Sequence, residues 1–159
     1  MKMTLRHVRD TDFQQIATWI NDSKACKRWA GPTVKFPFVH TDLGQILDKA
    51  GAVGRALTSE EDQLYGFAQY WPRDALRTHL GRIIVNPAHR GQGIGKVLCQ
   101  LLIDATLDAT TTPIISLRVY RDNHAALHLY EQLGFEARED DSNDEVLAME
   151  IWRQVSKTI

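Results

Sequence analysis

Residues Arg90-Gly91-Gln92-Gly93-Ile94-Gly95 place three glycines within five positions. The preceding stretch, Leu80 to Pro87, has the composition of a strand and is stopped by proline. Downstream, Ile94, Val97, Leu98, Leu101, Leu102 and Ala105 recur at helical spacing and form one apolar stripe. Glycines at a strand-to-helix turn keep side chains away from the backbone. A run of N–H groups is left pointing at one spot, backed by the positive end of the helix dipole. Such a spot binds phosphate, and a guanidinium at Arg90 can pair with phosphate oxygens.

Spacing excludes two familiar phosphate loops. A dinucleotide fingerprint beginning at Gly91 needs glycine at 96, where Lys96 stands; beginning at Gly93, it needs glycine at Leu98. A nucleoside-triphosphate loop needs Ser or Thr after Gly95-Lys96, but Val97 follows. What remains is Arg-x-x-Gly-x-Gly. A second patch lies downstream. The β-rich run Ile114 to Val119 leads into Tyr120-Arg121-Asp122-Asn123, and a short helix then ends in Leu129-Tyr130-Glu131-Gln132-Leu133-Gly134-Phe135, with glycine at the C-cap. Together, in this order and spacing, the two patches resemble the GNAT superfamily of acetyl-CoA-dependent N-acetyltransferases. The resemblance covers about residues 78 to 152 closely, and the N-terminal half only by its order of strands and helices.

That resemblance implies acetyl-CoA as co-substrate and no metal. It implies diphosphate contacts from Arg90, Gly91, Gln92, Gly93, Ile94, Gly95 and Lys96. The pantetheine arm would lie along Ile83, Ile84 and Val85 and pair with their backbone like an added strand, the next strand splaying away to admit it. Asn123 would contact the pantetheine or diphosphate, and its side chain also suits a helix N-cap. Tyr130 stands where the family keeps the acid that protonates the departing thiolate; it also lies on the apolar stripe of its helix. For the general base, some relatives carry a glutamate on the strand after the long helix, but Arg118 occupies that place here. Others draw it from the strand before the loop, which makes His79 a candidate, with Asp74, Glu60 and Glu61 behind it. His124 and His128 lack the glutamate of a zinc helix, since Ala125 stands at its position, and share a solvent face with Glu131.

The elements that must position these residues follow from the pattern of the chain. A strand is predicted over Thr4 to Arg9. A helix capped by Asp10 or Thr11 carries Phe13, Ile16, Ala17 and Ile20. An irregular stretch over 23 to 40 comes next, then a second helix over Asp42 to Ala50. Strands follow at 52–58, 64–71 and up to Val85, and beyond the long helix at 114–119, 135–139 and 145–152. The order β-α-α-β-β-β-α-β-α-β-β predicts an α+β domain over residues 1–159. Its GNAT-type sheet would be mixed, mostly antiparallel, six- to seven-stranded and flanked by helices.

Composition narrows the partners. A chain of 159 residues can bury one core. Its net charge of −1 excludes a general nucleic-acid binder. No apolar run reaches the length of a membrane span and no signal-peptide core is present, so a cytoplasmic protein is expected. Cys26 and Cys99 form neither a disulfide framework nor a metal pattern. The expected partners are a small-molecule or peptide amine and a second copy of the chain in a homodimer. Aromatics at Trp19, Trp29, Phe36 and Phe38, with the acidic run Glu139, Asp140, Asp141, Asp144 and Glu145, suggest a cationic amine acceptor. Three readings stay open: acetyl transfer to a metabolite amine, acetyl transfer to a protein N-terminus or lysine, and a non-catalytic acyl-CoA-binding module.

Overall fold

Alternating side chains make Met3–His7 the strand β1, and Arg9 and Asp12 build a reciprocal cap that starts helix α1 at Asp10–Ala17. The cap is thus Arg9 rather than Asp10 or Thr11, because the Asp12 carboxylate reaches back to the Arg9 N–H at 2.7 Å. The computed structural model describes residues 2–154.

Helix α2, Ser23–Ala30, occupies a stretch expected to be irregular. Asp22 caps it through the Ala25 N–H at 2.7 Å, and Gly31 ends it at φ +86°. Its buried stripe is only Cys26 and Ala30, too short for periodicity to register. The second helix expected over Asp42 to Ala50 shrinks to a 3-10 turn at His40–Asp42 and one turn of α-helix, α3, Leu43–Ile46. Tertiary partners stop it. The Leu47 carbonyl accepts from Gln69 Nε2 at 3.1 Å and Arg82 Nη1 at 2.7 Å.

The remaining elements fall within a residue or two of expectation, except the short β6: β2 Val53–Ser59, β3 Leu64–Pro72, β4 Arg77–Val85, α4 Ile94–Ala109, β5 Ile114–Tyr120, α5 His124–Gln132, β6 Glu136–Arg138 and β7 Val146–Trp152. They make one seven-stranded sheet in the order β1-β2-β3-β4-β5-β7-β6. Every neighbouring pair is antiparallel except β4 with β5. One apolar cluster, with Leu98, Leu102, Leu117, Tyr130 and Met149, involves α4 and α5. The other, with Ile16, Cys26, Leu43, Phe67 and Ile84, involves α1, α2 and α3.

Two departures from a regular sheet open the middle of the molecule. β4 and β5 pair only at Arg77 with Ile114, Thr78 with Ile115 and His79 with Ser116. Beyond that rung the strands part, and the β5-facing backbone of residues 80–85 has no strand partner. β4 also bulges against β3. Gln69 pairs with Gly81 and Phe67 with Ile84, so Arg82 and Ile83 both oppose Ala68. Arg82 takes φ +54° there, a left-handed conformation costly for a residue with a Cβ.

Candidate active site

The glycine loop takes the shape its composition predicts. Gly91 and Gly93 sit at φ +79° and +77°, which glycine alone adopts without strain. A Cβ at either would point into open space with nothing within 4 Å. Gly93 is also the N-cap of the 16-residue α4, and no side chain caps that helix. The N–H groups of Ile94, Gly95 and Lys96 therefore have no intrahelical partner. The Ile94 side chain is buried in the core, so it offers only its backbone. Arg90, Gly91, Gly93, Ile94 and Gly95 line a cavity of about 420 Å³ together with Ile83, Ile84, Val85 and Asn123. Gln92 and Lys96, predicted alongside them, are exposed and lie outside that lining. An open, glycine-floored loop with orphan donors and a free strand edge beside it fits the diphosphate and pantetheine of acetyl-CoA.

A second cavity of about 420 Å³ opens at the splay. It shares Ile83, Asn123 and Ala126 with the first, so the two cavities adjoin. Asn123 caps α5 through the Ala126 N–H at 3.3 Å while facing both cavities. Tyr130, from the inward face of α5, also lines the second cavity. Its ring packs edge-on against Phe135 at 5.9 Å. Burial, with the nearby Cys99, pushes the phenol well above its ordinary range, and its hydroxyl makes no hydrogen bond among the described residues. Burial likewise pushes the Cys99 thiol up to about 12, which removes it as a nucleophile.

His79 lines the same cavity and is only 8% exposed, so it is not a solvated edge residue. Its Nδ1 lies 2.8 Å from Ser116 Oγ. Burial first, and then the charges of Arg73, Arg118 and Lys49, lower its pKa to about 4. The other base candidates lie elsewhere. Asp74 accepts from the N–H groups of Leu76 and Arg77 at 2.8 and 2.9 Å and shapes the β3–β4 turn. Glu60 and Glu61 are exposed in the β2–β3 turn. His124, His128 and Glu131 share the exposed face of α5, as expected.

The expected acidic entrance is corrected by arginines. Glu139 pairs with Arg121 at 2.8 Å, Asp140 with Arg138 at 2.9 Å and Asp141 with Arg73 at 2.8 Å. None of the five carboxylates lines the cavity, although Val146 beside them does, and of the four aromatics only Trp29 does. Sequence reasoning missed Lys49, Trp71 and Arg82, which do. Gly81 was the available signal. A Cβ there would meet Trp71 Cη2 at 2.3 Å, and a lone glycine inside a strand marks a bulge or a close approach.

A family model described as the acetyltransferase (GNAT) family matches residues 15–135. An acetyltransferase of Sodalis glossinidius is 29% identical over 140 residues, covering 86% of this chain and 89% of that one. A mycothiol acetyltransferase of Streptomyces avermitilis is 33% identical over 91 residues, 55% of this chain and 29% of its own length. Among solved structures, spermidine N-acetyltransferase from Vibrio cholerae in complex with CoA and spermine superposes with TM-score 0.76. It shares 21% identity and covers 94% of this chain and 95% of that one.

Proposed function

The chain belongs to the GNAT acetyltransferase family, and from that premise we propose that it moves the acetyl group of acetyl-CoA directly to a primary amine within a ternary complex. The observation that carries this reading is the splay itself. At one end lies the glycine loop; at the other, a protonated, unpartnered Tyr130 phenol faces the same cavity as His79.

Bound acetyl-CoA supplies an activated acyl group. The loop N–H groups and Arg90 hold its diphosphate, and the free edge of Ile83, Ile84 and Val85 pairs with its pantetheine arm. An alkyl amine holds its proton up to a pKa of roughly 10, so it must lose that proton before it attacks. His79 is neutral and can receive the proton, directly or through a water; Ser116 holds its Nδ1. As the amine nitrogen bonds to the acyl carbon and the C–S bond breaks, Tyr130 can give its proton to the departing sulfur and take back the second proton that the acetylated nitrogen sheds. A phenol kept protonated by burial suits that role. A cytoplasmic setting belongs to the same proposal, and the free, buried Cys26 and Cys99 are compatible with it.

Release of free thiol from acetyl-CoA, screened over an amine panel, tests the reading. Amine-dependent release is expected. Acetyl-CoA binding with no release for any amine or peptide would reduce the chain to a binding module.

A further inference from the structure

Lys49, Arg82 and His79 converge on one tryptophan. Lys49 Nζ lies 4.2 Å and Arg82 Cζ 5.4 Å from the centre of the Trp71 ring, and the His79 ring centre lies 5.3 Å from it. All four residues line the cavity at the splay, as does Arg118, and no aspartate or glutamate is among its described lining residues. Lys49 makes no ion pair among the described residues, and Arg118 spends one N–H on the Asp141 carbonyl at 3.1 Å. Arg82 is half-buried. It donates to Leu47 O and Gln69 Oε1 through Nη1, which leaves Nε and Nη2 without acceptors among the described residues. Its own backbone is held left-handed at the bulge.

Like charges gathered beside a half-buried pocket repel one another, and guanidinium N–H groups with no protein acceptor are free to donate to a ligand. An arrangement of this kind is stable when a ligand anion completes it. We propose, on the reading of this site as an acetyltransferase centre, that the acceptor is a small amine that also carries an anionic group. Lys49 and Arg82 bind that anion and so turn the amine toward His79 and Tyr130. The arrangement opposes a polyamine, whose charges would meet those of the pocket. It also couples binding to chemistry. Arg73, Arg118 and Lys49, partly offset by Asp141, bear on His79. An anion placed among them raises its affinity for the proton it must accept.

Matched acceptors test this in the thiol-release assay: L-leucine against L-leucinamide for a carboxylate, O-phosphoethanolamine against ethanolamine for a phosphate, and spermidine. At least one anionic member is expected to exceed its neutral partner in kcat/KM by about ten- to a hundredfold. Whichever pair shows the preference identifies the anion. Lys49→Met and Arg82→Gln should bring that ratio near one by raising KM for the acceptor, with KM for acetyl-CoA unchanged. Lys49→Glu should shift preference toward spermidine. Superior turnover of spermidine or of the neutral partners by the wild type overturns the proposal, as does an anion preference untouched in both variants. Calorimetry with CoA present, using N-acetyl-L-leucine against its amide and N-acetyl-O-phosphoethanolamine against N-acetylethanolamine, separates the two readings. Tighter binding of an anionic probe, weakened by Lys49→Met, upholds the anion site even if no amine is turned over, in which case only the catalytic reading fails. Equal binding within both pairs overturns the anion site.

Discussion

His79 Nδ1 and Ser116 Oγ meet at 2.8 Å on the last rung that joins β4 to β5, so this pair marks the apex from which the two strands diverge. The contact holds the imidazole in a buried site ringed by cations, and the histidine stays neutral down to about pH 4. In the unfolded chain it takes up a proton near 6.5. Between those values the unfolded state binds more protons, so stability rises with pH. The His79 contribution is complete above about pH 6.5 and is lost as pH falls toward 4, a difference of about 3 kcal/mol. Chemical denaturation from pH 4 to 7 should give a shallower slope for His79→Asn than for the wild type. Parallel curves would show that His79 titrates normally.

Tyr130 is expected to act on turnover and not on folding or binding. Tyr130→Phe keeps the ring against Phe135 and deletes only the hydroxyl. Turnover should drop by about 10²–10⁴-fold, while acetyl-CoA still raises the melting temperature. A variant as fast as the wild type would leave the residue a packing aromatic.

Gly93 combines a left-handed backbone with the uncapped start of α4. Gly93→Ala should destabilise the fold by about 1–2 kcal/mol through φ alone. Gly93→Asp adds a carboxylate where the diphosphate is expected. Acetyl-CoA at about 100 times its dissociation constant should stabilise the wild type by about 2.7 kcal/mol, and that gain should vanish in Gly93→Asp. A folded Gly93→Asp protein that responds like the wild type would move the diphosphate elsewhere.

Glu150 and Asp140 offer a contrast in burial. Glu150 is 5% exposed and accepts from Arg77 Nε and Arg138 Nη1, each at 2.7 Å, whereas Asp140 is exposed beside Arg138. Glu150→Gln removes the negative charge that two arginines share in a shielded site, and should lower the melting temperature by several degrees. Asp140→Asn should change it little, and should leave KM for the acceptor unchanged because Asp140 is not among the residues that line the cavity. Equal effects on melting would refute the distinction.

The glycine loop, the strand before it and the Asn123-to-Phe135 helix were legible in the chain because each depends on neighbours along the sequence. Left-handed φ values at Gly91 and Gly93, the stripe from Ile94 to Ala105 and the Asn123 cap are local demands, and local residues state them. Helix α2 escaped because two buried residues make no readable stripe, although Asp22 and Gly31 marked its ends. Helix α3 fell short because Gln69 and Arg82, remote in sequence, take the carbonyl that would have prolonged it.

By itself the sequence determined the fold class, the shape of the glycine loop and the placement of Tyr130 on its helix. These follow from spacing, periodicity and turn chemistry, which are one-dimensional. Only the tertiary structure decided the character of the cavity at the splay. Lys49, Trp71, His79, Arg82 and Arg118 come from a loop and three strands, and nothing in their separate surroundings says that they share a cavity. The hairpin carboxylates likewise read as a negative surface until folding sets an arginine against each of Glu139, Asp140 and Asp141. Charge acts through space, so whether a charged residue is paired, shielded or left to bind a ligand is settled only when distant segments are packed together.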